Sequence, residues 1–362
     1  MTRVAILTPF ITTADAIGND VFGMHQSLHD SGHEARLFAE EWTTNGFDVA
    51  TPGKISRFLT GGNDVLIYHY SMGWDPGLEL LRTINCKKVV KYHNITTPDY
   101  FTGFSSIYED ICRIGRQQLK DIAQADCDLY LSDSEFNMRE LLSEGVEEKK
   151  SEVVPPFHQI DLLQTIEADM DIIDAYRDRK TNILMVGRVV PNKDHAELIK
   201  AFALYRSRYN PDSRLLIVGK EPRNLESYAE SLRDLVAQLG VRDSVVFAGC
   251  VSNEQLKAFY LVAHVFVMTS LHEGFCVPLV EAMAMKVPVV AYELPAISAT
   301  VGKAGLVWKE RNPFLLAESL DVLARNESIS VALGLTGRRR YEQHFTKEKI
   351  DMKFRQALNG LI

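Results

Sequence analysis

The chain has 362 residues, 46% of them hydrophobic and 24% charged, an ordinary globular composition and a length that suits two domains better than one. Forty basic residues stand against 48 acidic ones, for a net charge of -8. There is no basic stripe of the kind nucleic-acid binders carry, and no apolar run nears the roughly 20 residues that span a bilayer. The five cysteines, Cys86, Cys112, Cys127, Cys250 and Cys276, are odd in number and form no C-x-x-C. Reduced thiols in a cytoplasmic compartment are therefore expected, with no structural zinc.

Arg3–Thr8 reads as a first buried strand, its apolar part too short for a signal peptide. A polar turn with Ile17-Gly18-Asn19-Asp20 leads into a helix to Asp30, then a strand Ala35–Phe38. Strand, glycine turn, helix and strand in that order open a parallel α/β sheet. The N–H of Gly18 could meet a phosphate or an acceptor at the helix start, although Asn19 or Asp20 acting as a plain N-cap accounts for the same residues. Asp64–Tyr70 and Lys88–Pro98 are further strands, and their ends carry His69, His93 and Asn94. Open parallel sheets bind ligands outside the carboxyl ends of their strands. One histidine there is most often structural; two at adjacent strand ends strengthen the case for one of them. A helical period over Tyr108–Ala125, a strand Cys127–Leu131, a helix Glu135–Ser143 and a strand Ser151–Pro156 follow, with a linker near Pro155–Asp161.

Glu167–Lys180 is charged and helical and enters a second alternating half. Ile183–Val186 is a strand ended by Gly187, and Arg188 and Lys193 project from the loop after it. Two such cations could clamp a diphosphate, arginine as a fork and lysine as a point charge; surface cations capping a sheet are the plainer account. Strands Arg214–Val218, Ser244–Ala248, Val265–Met268 and Val287–Ala291 alternate with helices Leu225–Leu239 and Asn253–Tyr260. Between the last two strands lies Ser270-Leu-His-Glu-Gly-Phe-Cys-Val-Pro-Leu-Val-Glu-Ala-Met-Ala284. Pro278 suits the first turn of a helix, whose free N–H groups favour an anion. Glu273 in the turn and Glu281 inside the helix could bond ligand hydroxyls, and Gly274 lets a ligand approach the backbone. Helices at Pro313–Asn326, Ile329–Phe345 and Lys347–Leu361 complete the chain.

Gly187-Arg188 with Lys193, followed by Glu273-Gly274-Phe275 through Pro278 to Glu281-Ala282-Met283-Ala284, resembles the retaining glycosyltransferases of family 4. The resemblance implies the α/β GT-B fold: two Rossmann-like doubly wound domains facing across a cleft. It divides the chain into an acceptor-side domain 1–160, a nucleotide-sugar domain 161–345 and a final helix 346–362 packing back on the first domain. It implies that Arg188 and Lys193 hold the donor diphosphate, Glu273 the sugar and Glu281 the ribose, with backbone from Gly274, Phe275, Cys276, Val277 and Leu279 around sugar and phosphate. Gly18 and Gly187 line the donor, and Val251 lies where the base pocket forms. The family has a histidine at His93, facing the sugar near its reactive carbon. It usually has paired glycines where this chain has only Gly18 beside Ile17.

Of two Asp-x-Asp triplets, Asp126-Cys-Asp128 flanks the start of a strand away from the expected cleft end and Asp169-Met-Asp171 lies in a charged helix, so neither reads as a metal site. Arg188 and Lys193 would do the metal's work, so no divalent ion and no cofactor are expected. G-x-G-x-x-G after a strand, the P-loop and G-x-S-x-G are missing, which argues against dehydrogenase, P-loop kinase and α/β-hydrolase. The expected function is hexose transfer with retention from a nucleoside-diphosphate sugar, UDP-glucose or a similar UDP-sugar, to a saccharide or lipid-linked acceptor in polysaccharide assembly. The acceptor docks around Gly18, Asp20, His69, Asn94 and the Tyr100–Phe104 loop. GDP-mannose is the rival donor, and a non-catalytic sugar-nucleotide binder the rival class. Basic clusters at Cys112–Lys120 and Arg338–Arg340 either touch anionic lipid at the membrane's inner face or are solvated helix faces.

Overall fold

A computed structural model describes residues 2–13, 15–44 and 46–362. The chain forms two compact units. The first comprises Met1–Pro98, Glu109–Gln159 and Lys347–Ile362, and the second Asp99–Tyr108 and Ile160–Thr346. The division departs from the expected one at Asp99–Tyr108, which the sequence reading kept in the first domain.

The first unit is built on β1 (Arg3–Thr12), β2 (Glu34–Thr43), β3 (Val49–Ala50), β4 (Val65–Tyr70), β5 (Lys87–Tyr92), β6 (Leu129–Ser132) and β7 (Ser151–Val153). They form one seven-stranded parallel sheet in the order β3-β2-β1-β4-β5-β6-β7. Both faces are covered, so the strands read as unbroken apolar runs rather than alternating ones. Ala5, Leu7, Leu66, Tyr68 and Val90 pack into the core on one face, and Val4, Ile6, Val65, Ile67 and Val89 into the core on the other. The last helix, Lys347–Leu358, buries Ile350, Phe354 and Leu358 in that second core, with the Phe354 ring edge-on to Phe157 at 5.8 Å.

The second unit repeats the plan with β8 (Thr181–Val186), β9 (Ser213–Val218), β10 (Val245–Gly249), β11 (Val265–Met268), β12 (Val289–Tyr292) and β13 (Gly305–Trp308). Its parallel sheet has the order β10-β9-β8-β11-β12-β13. Each sheet reverses direction once, between β1 and β4 in the first and between β8 and β11 in the second. The crevice outside the strand ends at such a reversal is where doubly wound sheets take ligands.

Among the described residues no helix is long and apolar enough to cross a membrane. The basic clusters are largely engaged within the protein. Arg338 donates to the Ala284 carbonyl at 3.0 Å and Arg340 to the Thr300 carbonyl at 2.6 Å, capping the C-terminal ends of two helices. Arg116 pairs with Glu140 at 2.7 Å.

Candidate functional site

At the reversal of the second sheet, β8 ends in Gly187 and Arg188, and β11 runs out through Thr269 and Ser270 to Glu273. Gly187 and Gly219 close the ends of β8 and β9. A Cβ on Gly219 would lie 1.9 Å from the Gly187 carbonyl oxygen, so only glycine allows these strand ends to approach. The loops after β8 and β11 are stitched together by Leu271 N–H on the Asn192 carbonyl at 2.8 Å, and by the Thr269 hydroxyl near the carbonyls of Lys193 and Asp194 at 3.1 and 3.0 Å.

That stitching brings Lys193 Nζ onto Glu273 Oε1, which also accepts from the Ser270 hydroxyl at 2.7 Å. The lysine and glutamate side chains are 15% and 8% exposed, so the pair is nearly out of water. Burial on its own would lower the Lys193 pKa; the charges of Glu273 and Cys276 and the Glu273 hydrogen bond outweigh it and hold the amine above the ordinary lysine value. Arg188 is exposed. The site thus presents one fixed and one exposed cation beside an oriented carboxylate.

The helix Val277–Ala284 starts as Pro278 foretold, with Cys276 ahead of it in a left-handed conformation at φ 78°. No side chain caps this end, so its first N–H groups have no capping partner, although the Leu279 N–H bonds the Cys276 carbonyl at 3.2 Å and the Leu279 side chain is buried. Of the residues expected along the donor, Leu279 therefore has no free polar atom to offer. Phe275 is anchored: its carbonyl accepts from Thr300 and its ring meets Phe345 at 5.7 Å. Within the helix, Glu281 accepts from the Tyr260 hydroxyl at 2.6 Å. Burial pushes the Glu281 carboxyl up to about 7 against the opposing pull of that hydrogen bond. Val251 is half-buried just beyond the end of β10, two strands out from β8.

The loop Tyr100–Phe104 belongs with this unit. Tyr100 donates to the Leu271 carbonyl at 3.2 Å, two residues from Glu273, and Phe104 packs edge-on to Tyr228 at 5.2 Å.

In the first unit the strand ends gather a different set. His69 and His93 stack with ring nitrogens 2.8 Å apart, and His93 Nδ1 lies 3.0 Å from Asp133 Oδ2. Asp133 Oδ1 is 2.7 Å from Lys91 Nζ, which also donates to the Val154 carbonyl. Asp20 Oδ2 lies 3.9 Å from His69, 3.8 Å from His93 and 3.8 Å from Lys91. Burial opposes ionisation of Asp133, but His93 and Lys91 outweigh it and bring the carboxyl down to about 2. An ionised Asp133 can only accept, so His93 donates to it from Nδ1, and His93 Nε2 and His69 Nδ1 share a second hydrogen bond. The remaining His69 nitrogen, Nε2, has no hydrogen-bond partner among the described residues. Burial, then His93 and Lys91, hold the His69 pKa well below the ordinary value, so His69 is neutral. Both His93 ring nitrogens are thus engaged inside the unit.

Asp20, His69 and His93 bring donor atoms within 4.8 Å of one another, a spacing that a metal ion could use. Lys91 already supplies positive charge 3.8 Å from the Asp20 carboxylate, and the His69–His93 bond occupies two of the nitrogens an ion would need. The donor set therefore does not fit an ion well.

Gly18 lies against β1: a Cβ there would be 1.8 Å from the Thr12 carbonyl oxygen. Its N–H is taken by Asp15 Oδ1 at 2.7 Å, because Asp15, rather than Asn19 or Asp20, caps the helix Ala16–Asp30. Asn19 and Asp20 fall inside the first turns, where a cap cannot sit. Asn94 has φ 71° and donates to Glu140 at 2.7 Å. Of the Asp-x-Asp residues, Asp126 pairs with Lys150, Asp128 accepts from the Lys88 N–H, and Asp169 caps the helix Met170–Tyr176.

Sequence reasoning did not assign Ser270, Tyr260, Lys91 or Asp133. A lysine flanked by Val90 and Tyr92 near the end of the central strand Lys87–Tyr92 was the available signal for the last two.

Residues 170–340 match the family model described as Glycosyl transferases group 1. The GDP-mannose-dependent alpha-(1-6)-phosphatidylinositol monomannoside mannosyltransferase of Mycobacterium tuberculosis is 30% identical over 190 residues, 50% of this chain and 48% of that protein. Mannosylfructose-phosphate synthase of Agrobacterium fabrum is 29% identical over 181 residues, 48% of this chain and 40% of that protein. The chain thus spans about half or less of the length of these curated relatives. Sucrose-phosphate synthase from Thermosynechococcus elongatus matches with a TM-score of 0.81 at 19% identity, covering 100% of this chain and 99% of that one. Anabaena HepE, solved with UDP and glucose, matches with a TM-score of 0.77 at 15% identity, covering 99% and 100%. The GT-B fold read from the sequence is borne out, and over residues 170–340 so is the likeness to glycosyl transferases of group 1.

Proposed function

We propose that this chain, whose residues 170–340 carry a glycosyl transferases group 1 domain, is a glycosyltransferase that moves a hexose from a nucleoside-diphosphate sugar to an acceptor hydroxyl. The observation that carries the proposal is the buried Lys193–Glu273 pair at the reversal of the second sheet, beside exposed Arg188 and the uncapped start of the helix Val277–Ala284. Lys193 has three donors, and Glu273 uses one. The others, with the Arg188 fork, would neutralise a diphosphate as it leaves, in a site where water screens little. Glu273, oriented by Ser270, would take sugar hydroxyls, and Glu281, steadied by Tyr260, the ribose diol.

The reaction proposed is retaining and metal-independent. A double displacement needs a carboxylate behind the anomeric carbon. Glu273 is bound to Lys193 and Ser270, an arrangement suited to holding hydroxyls rather than attacking. The departing phosphate oxygen would then take the acceptor proton on the same face. The acceptor, a saccharide or lipid-linked saccharide, would dock at the strand ends of the first unit, near Asp20, His69 and Asn94. There the His93 relay fixes the β5 end.

For the donor, the sequence reading favours UDP-glucose. A second reading, GDP-mannose, is supported by the GDP-mannose-dependent Mycobacterium tuberculosis relative, 30% identical over 190 residues. A thermal-shift screen with UDP, GDP, ADP and their sugars decides between them, since a ligand stabilises in proportion to the logarithm of its concentration over Kd. Slow release of free hexose from the selected donor, without acceptor, separates an enzyme from a non-catalytic binder. Selective binding without any turnover, in the presence of a panel of acceptors, would refute catalysis.

A further inference from the structure

We propose that Arg311 is a positioning residue for the Lys193–Glu273 pair; the kinetic part of the inference rests on the glycosyl-transfer reading, the structural part on geometry alone. Arg311 follows β13 and lies far from the motif in sequence. Its Nη2 donates to Asp194 Oδ2 at 2.7 Å and to the Thr269 carbonyl at 2.6 Å. Its Nη1 donates to the Ser270 carbonyl at 3.1 Å. The guanidinium lies over the Tyr292 ring at 4.5 Å, and the Tyr292 hydroxyl donates to Glu197 at 3.0 Å.

One planar fork therefore joins the loop after β8 to the loop after β11. On one side it holds Asp194, the neighbour of Lys193. On the other it holds the backbone of Ser270, whose hydroxyl orients Glu273. Asp194 sits in the left-handed region, φ 51° and ψ 53°, which a side chain disfavours. Its side chain is held by the cap to the Glu197 N–H at 3.3 Å and by the Arg311 contact. Releasing Arg311 frees a strained residue and two carbonyls together, on both sides of the ion pair. The Arg311 side chain is 31% exposed, so its charge alone is well screened. What it contributes is a fixed set of donors, which lysine cannot reproduce.

The test uses full-length Arg311→Met, Arg311→Lys and Asp194→Asn. Hydrogen exchange reads the Leu271 amide, bonded to the Asn192 carbonyl, and the Lys193 amide, bonded to the Val190 carbonyl. Calorimetry reads affinity for the nucleoside monophosphate of the selected donor, and steady-state kinetics reads kcat and KM. We expect exchange at both amides to rise at least tenfold in both Arg311 variants. We expect kcat to fall 10- to 100-fold, donor KM to move less than threefold and nucleoside monophosphate affinity to stay put. Asp194→Asn should add little in an Arg311→Met background. Exchange and kcat within twofold of wild type in Arg311→Met would overturn the proposal, as would full activity in Arg311→Lys, which would reduce the role to charge. If wild type turns over no donor, the glycosyl-transfer reading fails by itself, and unchanged exchange still refutes the latch. If Arg311→Met does not fold, Arg311→Lys and Asp194→Asn carry the same measurements.

Discussion

The Tyr260 hydroxyl reaches the Glu281 carboxylate at 2.6 Å from a neighbouring helix, and its hydrogen bond opposes the effect of that carboxyl's burial. The folded-state value of about 7 stands above the ordinary 4.5. Stability tied to this group is therefore complete below pH 4.5 and lost as pH rises through 7. Glu281→Gln should raise stability at pH 8 by about 1–3 kcal/mol and change little at pH 4.5. Ligand binding should show the opposite trend: if Glu281 holds the ribose diol as proposed, donor affinity should climb between pH 6 and 8 in wild type and stay flat in Glu281→Gln. Denaturation and calorimetry at both pH values check this. An equal pH slope of donor affinity in the variant would remove Glu281 from the ribose.

Lys193→Met should cost about 3–5 kcal/mol, because it strands the Glu273 carboxylate with only Ser270 for company. Lys193→Met combined with Glu273→Gln should recover most of that loss in urea denaturation, while turnover stays below detection. Recovery of activity along with stability would show the pair to be structural.

Arg188→Ala should leave folding unchanged, since the side chain is exposed. Its effect belongs to the leaving diphosphate: kcat/KM should drop about 10²–10³-fold while nucleoside monophosphate affinity holds. Unchanged turnover would end the assigned role.

What could be read from the sequence follows from what each feature depends on. The central strands were legible because burial on both faces writes them as apolar runs, as in Val65–Tyr70 and Val265–Met268. The cations at Arg188 and Lys193 and the carboxylates at Glu273 and Glu281 were legible because a turn and a helix start fix them locally. The edge strands β3 and β13 were not: Val49–Ala50 is two residues long, and Gly305–Trp308 is half-buried throughout and carries no clear pattern. The cap of the first helix was misplaced, since Asn19 and Asp20 advertise themselves as caps and Asp15 wins by reaching the Gly18 N–H. Partners distant in sequence, such as Tyr260 for Glu281 or Asp133 for His93, depend on sheet order and leave no local mark.

His195 offers a test of burial alone. It is fully buried, neither ring nitrogen has a partner among the described residues, and burial, aided by Lys193, pulls its pKa down to about 3. Its contribution to stability is whole above pH 6.5 and is lost as pH falls towards 3, because only the unfolded chain takes up the proton. At pH 5 that loss is about 2 kcal/mol. His195→Leu, of similar volume, should be close to neutral at pH 8 and stabilising at pH 5, read as a shift in Tm. His25, His33, His69 and His264 are lowered too and retain the rest of the acid slope. An unchanged slope in His195→Leu would mean the ring is hydrated.

The relay in the first unit makes the most discriminating prediction, because Lys91 is argued to supply the charge an ion would. Lys91 is fully buried and within 3.8 Å of both Asp20 and Asp133. Lys91→Met leaves two buried carboxylates without a cation and should cost about 3–5 kcal/mol. Adding Asp20→Asn removes one of those charges and should recover part of the loss. In the single variant, Asp20, His69 and His93 keep their donor atoms close with no competing ammonium, so Zn²⁺ should now bind and raise Tm. At a hundredfold excess over Kd the gain is about 2.7 kcal/mol. Wild type should show no such shift, and Asp20→Asn should abolish it in the Lys91→Met background. A zinc-dependent rise in Tm in wild type that disappears with Asp20→Asn would show that the cluster is a metal site despite Lys91.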